Sequence, residues 1–310
     1  MKPINWNNAD SFSLMLWNQN LKQFWIDTEI PLSRDKISWE NMTQPEKETY
    51  KRILAGLTLL DTSQGLVGMP RIMMECNNLF EKNILSFMGA MENIHAKSYS
   101  SIFSTLCSTN ETNEVFNWAE NEPILQEKMN IILDVYNNIP KYSLPVAMAT
   151  SVFLESFLFY SGFYYPLLLA GKGTLTSSNE IINLIIRDES IHGVYVGQLF
   201  KNCEKTKENI DFIYKTFNEL YTLEKEYAKM LYDKLGFTKD VTAFIEYNAN
   251  KAFDNLGLEK VFTVKDTDFN PLVLRGLDTT SKQHEFFSNK GNSYAKATNV
   301  EELSDDDFNF

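Results

Sequence analysis

An all-α bundle is the fold this sequence predicts, and three observations carry that expectation. Apolar residues recur at helical spacing almost from end to end. Helix-start and helix-stop signals punctuate those runs, and no pair of alternating segments joined by hairpin chemistry stands out. Composition agrees: 44% of the 310 residues are hydrophobic, Gly (13) and Pro (9) are sparse, and Phe (22) and Tyr (14) are abundant. That balance suits long regular elements around an aromatic-rich core.

The elements follow in order. A first amphipathic stretch covers about 10–27 and ends near "TEIPLS". Thr43-Gln-Pro45-Glu46 is a capping box with proline in the first turn, opening a helix to about Gly65. Periodicity resumes after "GMP", hesitates at Asn77-Asn78 and continues to about Leu106. Further helices fit 112–138, 143–170, 178–204, 207–235 and 238–256, with Gly171 as a stop and Ser177-x-x-Glu180 as the next capping box. From about 265 the pattern fades, and "NKGNSYAKATNVEELSDDDFNF" reads as a flexible acidic tail. The expected organisation is one helical domain over 1–287 and a tail over 288–310.

Bulk chemistry excludes several functions. A net charge of −12 argues against nucleic acid or an anionic membrane as partner, and the last ten residues alone carry five of the acids. Cys76, Cys107 and Cys203 lack metal-type spacing, which fits a reduced, cytoplasmic protein with ordinary buried thiols. The opening "MKPINWNNADSF" is polar from the start, unlike a signal peptide. Residues 143–171 are long and apolar enough to span a bilayer, with Glu155 their single charge. A carboxylate at mid-segment and the want of a second candidate span favour a helix buried all round in a bundle.

The chemistry lies in polar residues on stripes meant for a core. Met88, Glu92, His95, Tyr99, Ile102 and Leu106 share one helix face, and so do Ile182, Ile185, Glu189, His192, Val196 and Leu199. A single Glu-x-x-His pair is most simply a hydrogen-bonded core histidine. Here the pair occurs twice, using two of only three histidines. Two more apolar helices each carry one acid: Asp61 on the face of Leu54, Leu57 and Thr58, and Glu155 on that of Val152, Phe159 and Phe163. Four buried carboxylates without a basic partner would repel one another and lose their hydration at several kcal/mol each. Two divalent metal ions resolve this, because four carboxylates and two imidazoles supply their oxygen and nitrogen ligands. The pattern is that of ferritin-like dimetal carboxylate bundles, with Asp61 in a place where Glu is usual.

Spacing also puts Tyr99 one turn beyond His95, with Phe159 and Phe163 one and two turns past Glu155 and Ile185 one turn before Glu189. These would pack a dry cage around the phenol, where an oxidised tyrosine could persist. Spacing alone equally allows a tyrosine packed for its area and hydrogen-bonded.

The stretches "LTLLDTSQG", "MENIHAKSYS", "SVFLESFLFYSGFYYPL", "EIINLIIRDESIHGVYVG" and "KGNSYAKATNVEELSDDDF" resemble the radical-generating small subunit of class I ribonucleotide reductase. The resemblance is nearest to class Ib and runs from "WNQNLKQFWIDTEIPLSRD" to the end of the chain. It implies that Asp61, Glu92 and His95 hold one metal and that Glu155, Glu189 and His192 hold the other, two Mn or two Fe ions per chain. It implies a stable radical on Tyr99, and a relay through Trp25 and Asp188 that leaves by Tyr294 in the tail. The terminus, with Phe308 and Phe310, would dock on a large catalytic subunit that reduces ribonucleotides. A flavodoxin-like protein would activate a manganese form, and the subunit would be a homodimer. All six ligand types and Tyr99 are present, unlike the family's metal-free variants and those with phenylalanine at the radical position. A ferritin-like iron oxidase and store, or a dimetal monooxygenase, are the alternatives. The first needs neither Tyr99, Trp25 nor an aromatic-tipped tail, and the second would want a substrate pocket where Phe159 and Phe163 stand. His284 has no partner that the sequence can name.

Overall fold

The computed structural model describes residues 2–281 and, among them, is helical with no strand. The expected tail, Tyr294, His284, Phe308 and Phe310 lie outside the described residues. In chain order the helices are α1 (Ser11–Gln23), α2 (Lys36–Glu40), α3 (Gln44–Ser63), α4 (Met69–Glu75), α5 (Leu79–Leu106), α6 (Thr109–Asn121) and α7 (Pro123–Asn137). After these come α8 (Ile139–Tyr142), α9 (Leu144–Phe153), α10 (Tyr160–Gly171), α11 (Thr176–Asn202), α12 (Lys207–Tyr232), α13 (Thr238–Leu256) and α14 (Pro271–Ser281).

Four long elements form the heart of the bundle. Helix α3 packs on α5 and α10, α9 packs on α11, and α11 touches α5. Helices α9 and α10 are joined by a π-helical segment, Leu154–Leu158, into one apolar rod, Leu144–Gly171. Its membrane-like window is wholly buried within the protein, so it is the core helix the sequence predicts. Helices α12 and α13 close the far side, and a fully buried pair, Lys128 Nζ to Glu224 Oε2 at 2.6 Å, ties α7 to α12.

Several boundaries differ from the sequence expectation, each for a local reason. The Thr43–Glu46 capping box opens α3 as expected, with Glu46 Oε2 accepting from Thr43 N at 2.8 Å. The first helix stops at Gln23 and not near 27, because Phe24 turns extended (ψ 134°) and carries Trp25 into the core. The run expected at 112–138 is two helices. Pro123 starts α7, and a proline at a first helical position lacks the N–H needed to continue α6.

The Ser177–Glu180 capping box does not form. Helix α11 starts at Thr176, after Leu175 in the left-handed conformation (φ 50°). Its cap comes from far away: the buried Asp35 carboxylate accepts from Ser177 N at 3.1 Å, Ser178 N at 2.6 Å and Ser178 Oγ at 2.7 Å. An anion at a helix N-terminus satisfies the free N–H groups and meets the positive end of the dipole.

Helix α14 falls where apolar periodicity had faded. It packs on α10 by backbone approach at two glycines. A Cβ on Gly276 would lie 2.1 Å from the Leu167 carbonyl oxygen, and one on Gly171 would lie 2.1 Å from that of Leu272. Asn179 and Asn183 then donate to the Gly276 carbonyl at 3.1 and 3.0 Å.

Asp35→Ala leaves two buried N–H groups at the head of α11 without an acceptor. The expected loss is about 1–3 kcal/mol of unfolding free energy, read by urea denaturation of the metal-free protein. An unchanged midpoint would show that this cap contributes nothing.

Candidate metal centre

Each of the four central elements delivers its polar residues to one place. Helix α3 brings Asp61 near its C-terminal end, just before a second π-helical segment, Gln64–Gly68. Helix α5 brings Glu92, His95 and Tyr99, and α11 brings Glu189 and His192. Glu155 lies inside the π-segment between α9 and α10. Such segments widen a helix by one residue and are frequent at functional sites. Every one of these side chains is fully buried.

Their ligand atoms converge as two groups. Asp61, Glu92, His95 and Glu189 form one, and Glu92, Glu155, Glu189 and His192 the other; within each group all the atoms lie within 4.8 Å of one another. Glu92 and Glu189 therefore reach both. His95 Nδ1 is 3.2 Å from Asp61 Oδ1, 3.4 Å from Glu92 Oε2 and 2.9 Å from Glu189 Oε1. His192 Nδ1 is 2.6 Å from Glu92 Oε1 and 3.6 Å from Glu155 Oε2. These atoms are near one another without being aimed at one another. Both oxygens of Asp61, Glu92 and Glu189, Glu155 Oε2 and Nδ1 of both histidines make no hydrogen bond. Buried oxygen and nitrogen donors that converge without bonding fit two divalent cations of the Mn or Fe type.

Electrostatics within the cluster points the same way. Burial raises Asp61 and Glu155 well above the ordinary carboxylate range, more strongly than the histidines lower them. For Glu189 burial acts upward too, but the close approach of Glu155 and both histidines outweighs it and holds the group low. Burial alone would lower both histidines. The surrounding carboxylates overcome it and raise them well above the usual imidazole value. The cluster therefore retains protons at neutral pH that bound cations would displace.

Behind His95 lies a second layer. Asp188 is fully buried; its Oδ2 accepts from Trp25 Nε1 at 2.8 Å and faces His95 Nε2 at 3.2 Å. Trp25 lies nearly parallel to the His95 ring, with centroids 6.0 Å apart. With Nε2 turned to Asp188, His95 presents Nδ1 to the carboxylates, so Asp188 sets which nitrogen is free for a metal. Two residues without a sequence signal complete this layer. Gln23 Nε2 donates to Asp188 Oδ1 at 2.8 Å, and Arg187 Nη2 donates to the Gln23 carbonyl at 2.6 Å. Asp27 anchors the turn after Trp25 to α5 through Lys97 Nζ at 2.5 Å and through Ser101.

Tyr99 is fully buried, and its hydroxyl has no hydrogen-bond partner among the described residues. Burial, reinforced by Asp61, Glu189 and Glu92, keeps it a neutral phenol. Phe159, Phe163 and Ile185 are fully buried in the same core, with Phe159 and Phe163 stacked at 5.8 Å.

The family model described as "Ribonucleotide reductase, small chain" matches residues 3–271. The beta subunit of ribonucleoside-diphosphate reductase from Bacillus subtilis is 51% identical, over 99% of this chain and 95% of its own length. The ribonucleoside-diphosphate reductase 2 beta subunit of Escherichia coli is 41% identical, over 99% and 98%. Among solved structures, Streptococcus sanguinis dimanganese(II)-NrdF superposes with a TM-score of 0.85 at 41% identity, covering 89% of this chain and 99% of that one.

Manganese(II) added to metal-free protein should release protons into weakly buffered solution. Its apparent affinity should fall as pH drops from about 8 to about 6, because the raised histidines and carboxylates then hold their protons against the metal. A pH-independent affinity without proton release would place the ions elsewhere.

Proposed function

The chain belongs to the small-chain family of ribonucleotide reductases, and on that premise we propose that it is the radical-generating subunit of a ribonucleoside-diphosphate reductase, with Tyr99 as the radical site. One observation carries the reading: a fully buried tyrosine stands one turn from His95, beside two converging sets of carboxylate and imidazole donors. Asp61, Glu92 and His95 would hold one ion and Glu155, Glu189 and His192 the other, with Glu92 and Glu189 in reach of both. A pair of Mn or Fe ions held there, once oxidised by O2 or by a reduced oxygen species that a flavoprotein delivers, would supply the oxidising power.

The chain's own residues do the rest. Tyr99 starts as a neutral phenol and would give up its electron to the oxidised ions and its proton towards the neighbouring carboxylates of the centre in one step, since a charged phenolate is disfavoured at its site. Phe159, Phe163 and Ile185 exclude water and reductants from that part of the core. Trp25, Asp188 and His95 form a hydrogen-bonded route from the centre, with Asp188 holding both Trp25 Nε1 and His95 Nε2. The hole leaves by this route and by Tyr294 for a large catalytic subunit, where the ribonucleotide is reduced.

Residues 1–287 serve as the helical domain and 288–310 as the docking tail. A flavodoxin-like protein activates the manganese form, the subunit works as a homodimer, and its compartment is the cytoplasm. The store and monooxygenase alternatives gain no support from the relatives, which are named as reductase subunits.

Electron paramagnetic resonance on protein reconstituted with Fe(II) and O2, or with Mn(II) and a reduced flavodoxin, tests the reading. Tyr99→Phe should abolish the tyrosyl signal while two ions still bind. Trp25→Phe should keep the signal and bring nucleotide reduction to background. A tyrosyl signal that survives Tyr99→Phe moves the radical to another residue.

Deleting 288–310 should leave the signal intact and abolish binding to the large subunit, read by sedimentation of the mixed subunits. Unchanged association would place the docking surface on the helical domain.

A further inference from the structure

Gln64 belongs to the same helical run as Asp61, one turn further on, yet its side chain serves the other half of the centre. Its Nε2 donates to Glu155 Oε1 at 2.5 Å and to Ser151 Oγ at 2.8 Å. Its Oε1 accepts from the Tyr136 hydroxyl at 2.8 Å. A phenol proton can be given only to the amide oxygen, so Tyr136 fixes the amide with its NH2 towards Glu155. All four side chains are buried, and Gln64 itself is fully so.

The backbone is shaped for this contact. Gln64 opens the π-segment Gln64–Gly68, and Glu155 lies within the π-segment Leu154–Leu158. A Cβ on Gly68 would lie 2.2 Å from Gln64 Oε1 and 2.7 Å from the Tyr136 ring, so glycine there leaves room for the Gln64–Tyr136 pair. The consequence falls on Glu155. Its Oε1 is engaged by an amide that cannot ionise, while its Oε2 has no hydrogen bond and lies 3.6 Å from His192 Nδ1.

We propose that Gln64, oriented by Tyr136, is a positioning residue that holds Glu155 so that it offers one oxygen to the metal site it shares with Glu189 and His192. The inference rests on the dimetal reading above and deepens it. Without the amide, Oε1 turns freely and the carboxylate loses its fixed direction. Among the described residues this amide hydrogen-bonds none of Asp61, Glu92 and His95, so the site they build should keep most of its affinity.

Mn(II) titration of the metal-free full-length protein, followed by the signal of free Mn(II), resolves the two sites. Wild-type protein should take up two ions per chain. In Gln64→Leu one ion should bind about 10–100-fold more weakly and the other as in wild type. Tyr136→Phe, which keeps Gln64 but frees its amide, should shift the same ion by less, and it serves alone if the leucine variant does not fold. Loss of a buried partner lowers thermal stability in both metal-free variants, so selectivity is the deciding readout: a merely structural residue would weaken both ions together. Wild-type affinities in the variants, or equal weakening of both ions, overturns the inference. Failure of the wild type to bind two ions overturns the dimetal reading, and the inference with it.

Discussion

Four carboxylates and two imidazoles enclosed in an apolar core set the terms for the rest of this protein. A charge taken out of water costs several kcal/mol even after relaxation, and like charges at these distances add to that. Among the described residues no lysine or arginine is ion-paired with the four carboxylates; the two histidines are their basic neighbours. Protons can settle the balance in part, as the raised Asp61, Glu155 and histidines indicate. Cations settle it fully, and they also use the donors that no hydrogen bond occupies. The bundle around the cluster is dense and aromatic because only a rigid, dry wall keeps such donors converging on fixed points.

Rigidity here comes from polar contacts between distant segments as much as from apolar packing. Asp35 caps α11 from more than a hundred residues away, which fixes the start of the helix that carries Asp188, Glu189 and His192. Helix α14 reaches α10 through two glycines, and Asn179 and Asn183 of α11 bond its backbone, so these three helices lock together. The two π-segments lie at Glu155 and immediately after Asp61. Each interrupts regular helix bonding beside a ligand, a distortion that the surrounding packing has to hold in place.

Legibility in the sequence follows the same division. The converging side chains could be picked out because i, i+3 spacing and apolar stripes are properties of one helix, and the pattern occurs twice. The apolar rod around Glu155 was readable for the same reason. Gln23, Gln64 and Asp35 were not, since each acts on a segment remote in the chain and no periodicity marks it. The Ser177–Glu180 motif even offered a plausible local cap, and the tertiary carboxylate displaced it. Helix α14 is short: Leu272, Val273, Leu274 and Leu277 give it an apolar side that packs on the core but too few turns for a sustained period, and its close glycine contact with α10 leaves no further trace in the sequence.

Adjacent residues Asp188 and Glu189 show how one helix can serve both the carboxylate cluster and the Trp25 layer behind His95. Successive side chains on an α-helix point about 100° apart. Glu189 accordingly faces the cluster, while Asp188 faces Trp25 and Gln23. His95 spans the gap between them, with Nδ1 at 2.9 Å from Glu189 and Nε2 at 3.2 Å from Asp188. One imidazole thus touches the ligand cage on one edge and the tryptophan's carboxylate on the other. Rotating α11 by a single residue would break both contacts at once, so the remote cap at Asp35 and the glycine contact of α14 bear on the Trp25–Asp188–His95 contacts as well as on the fold. Stability of this helix and connection of the two sites are the same requirement.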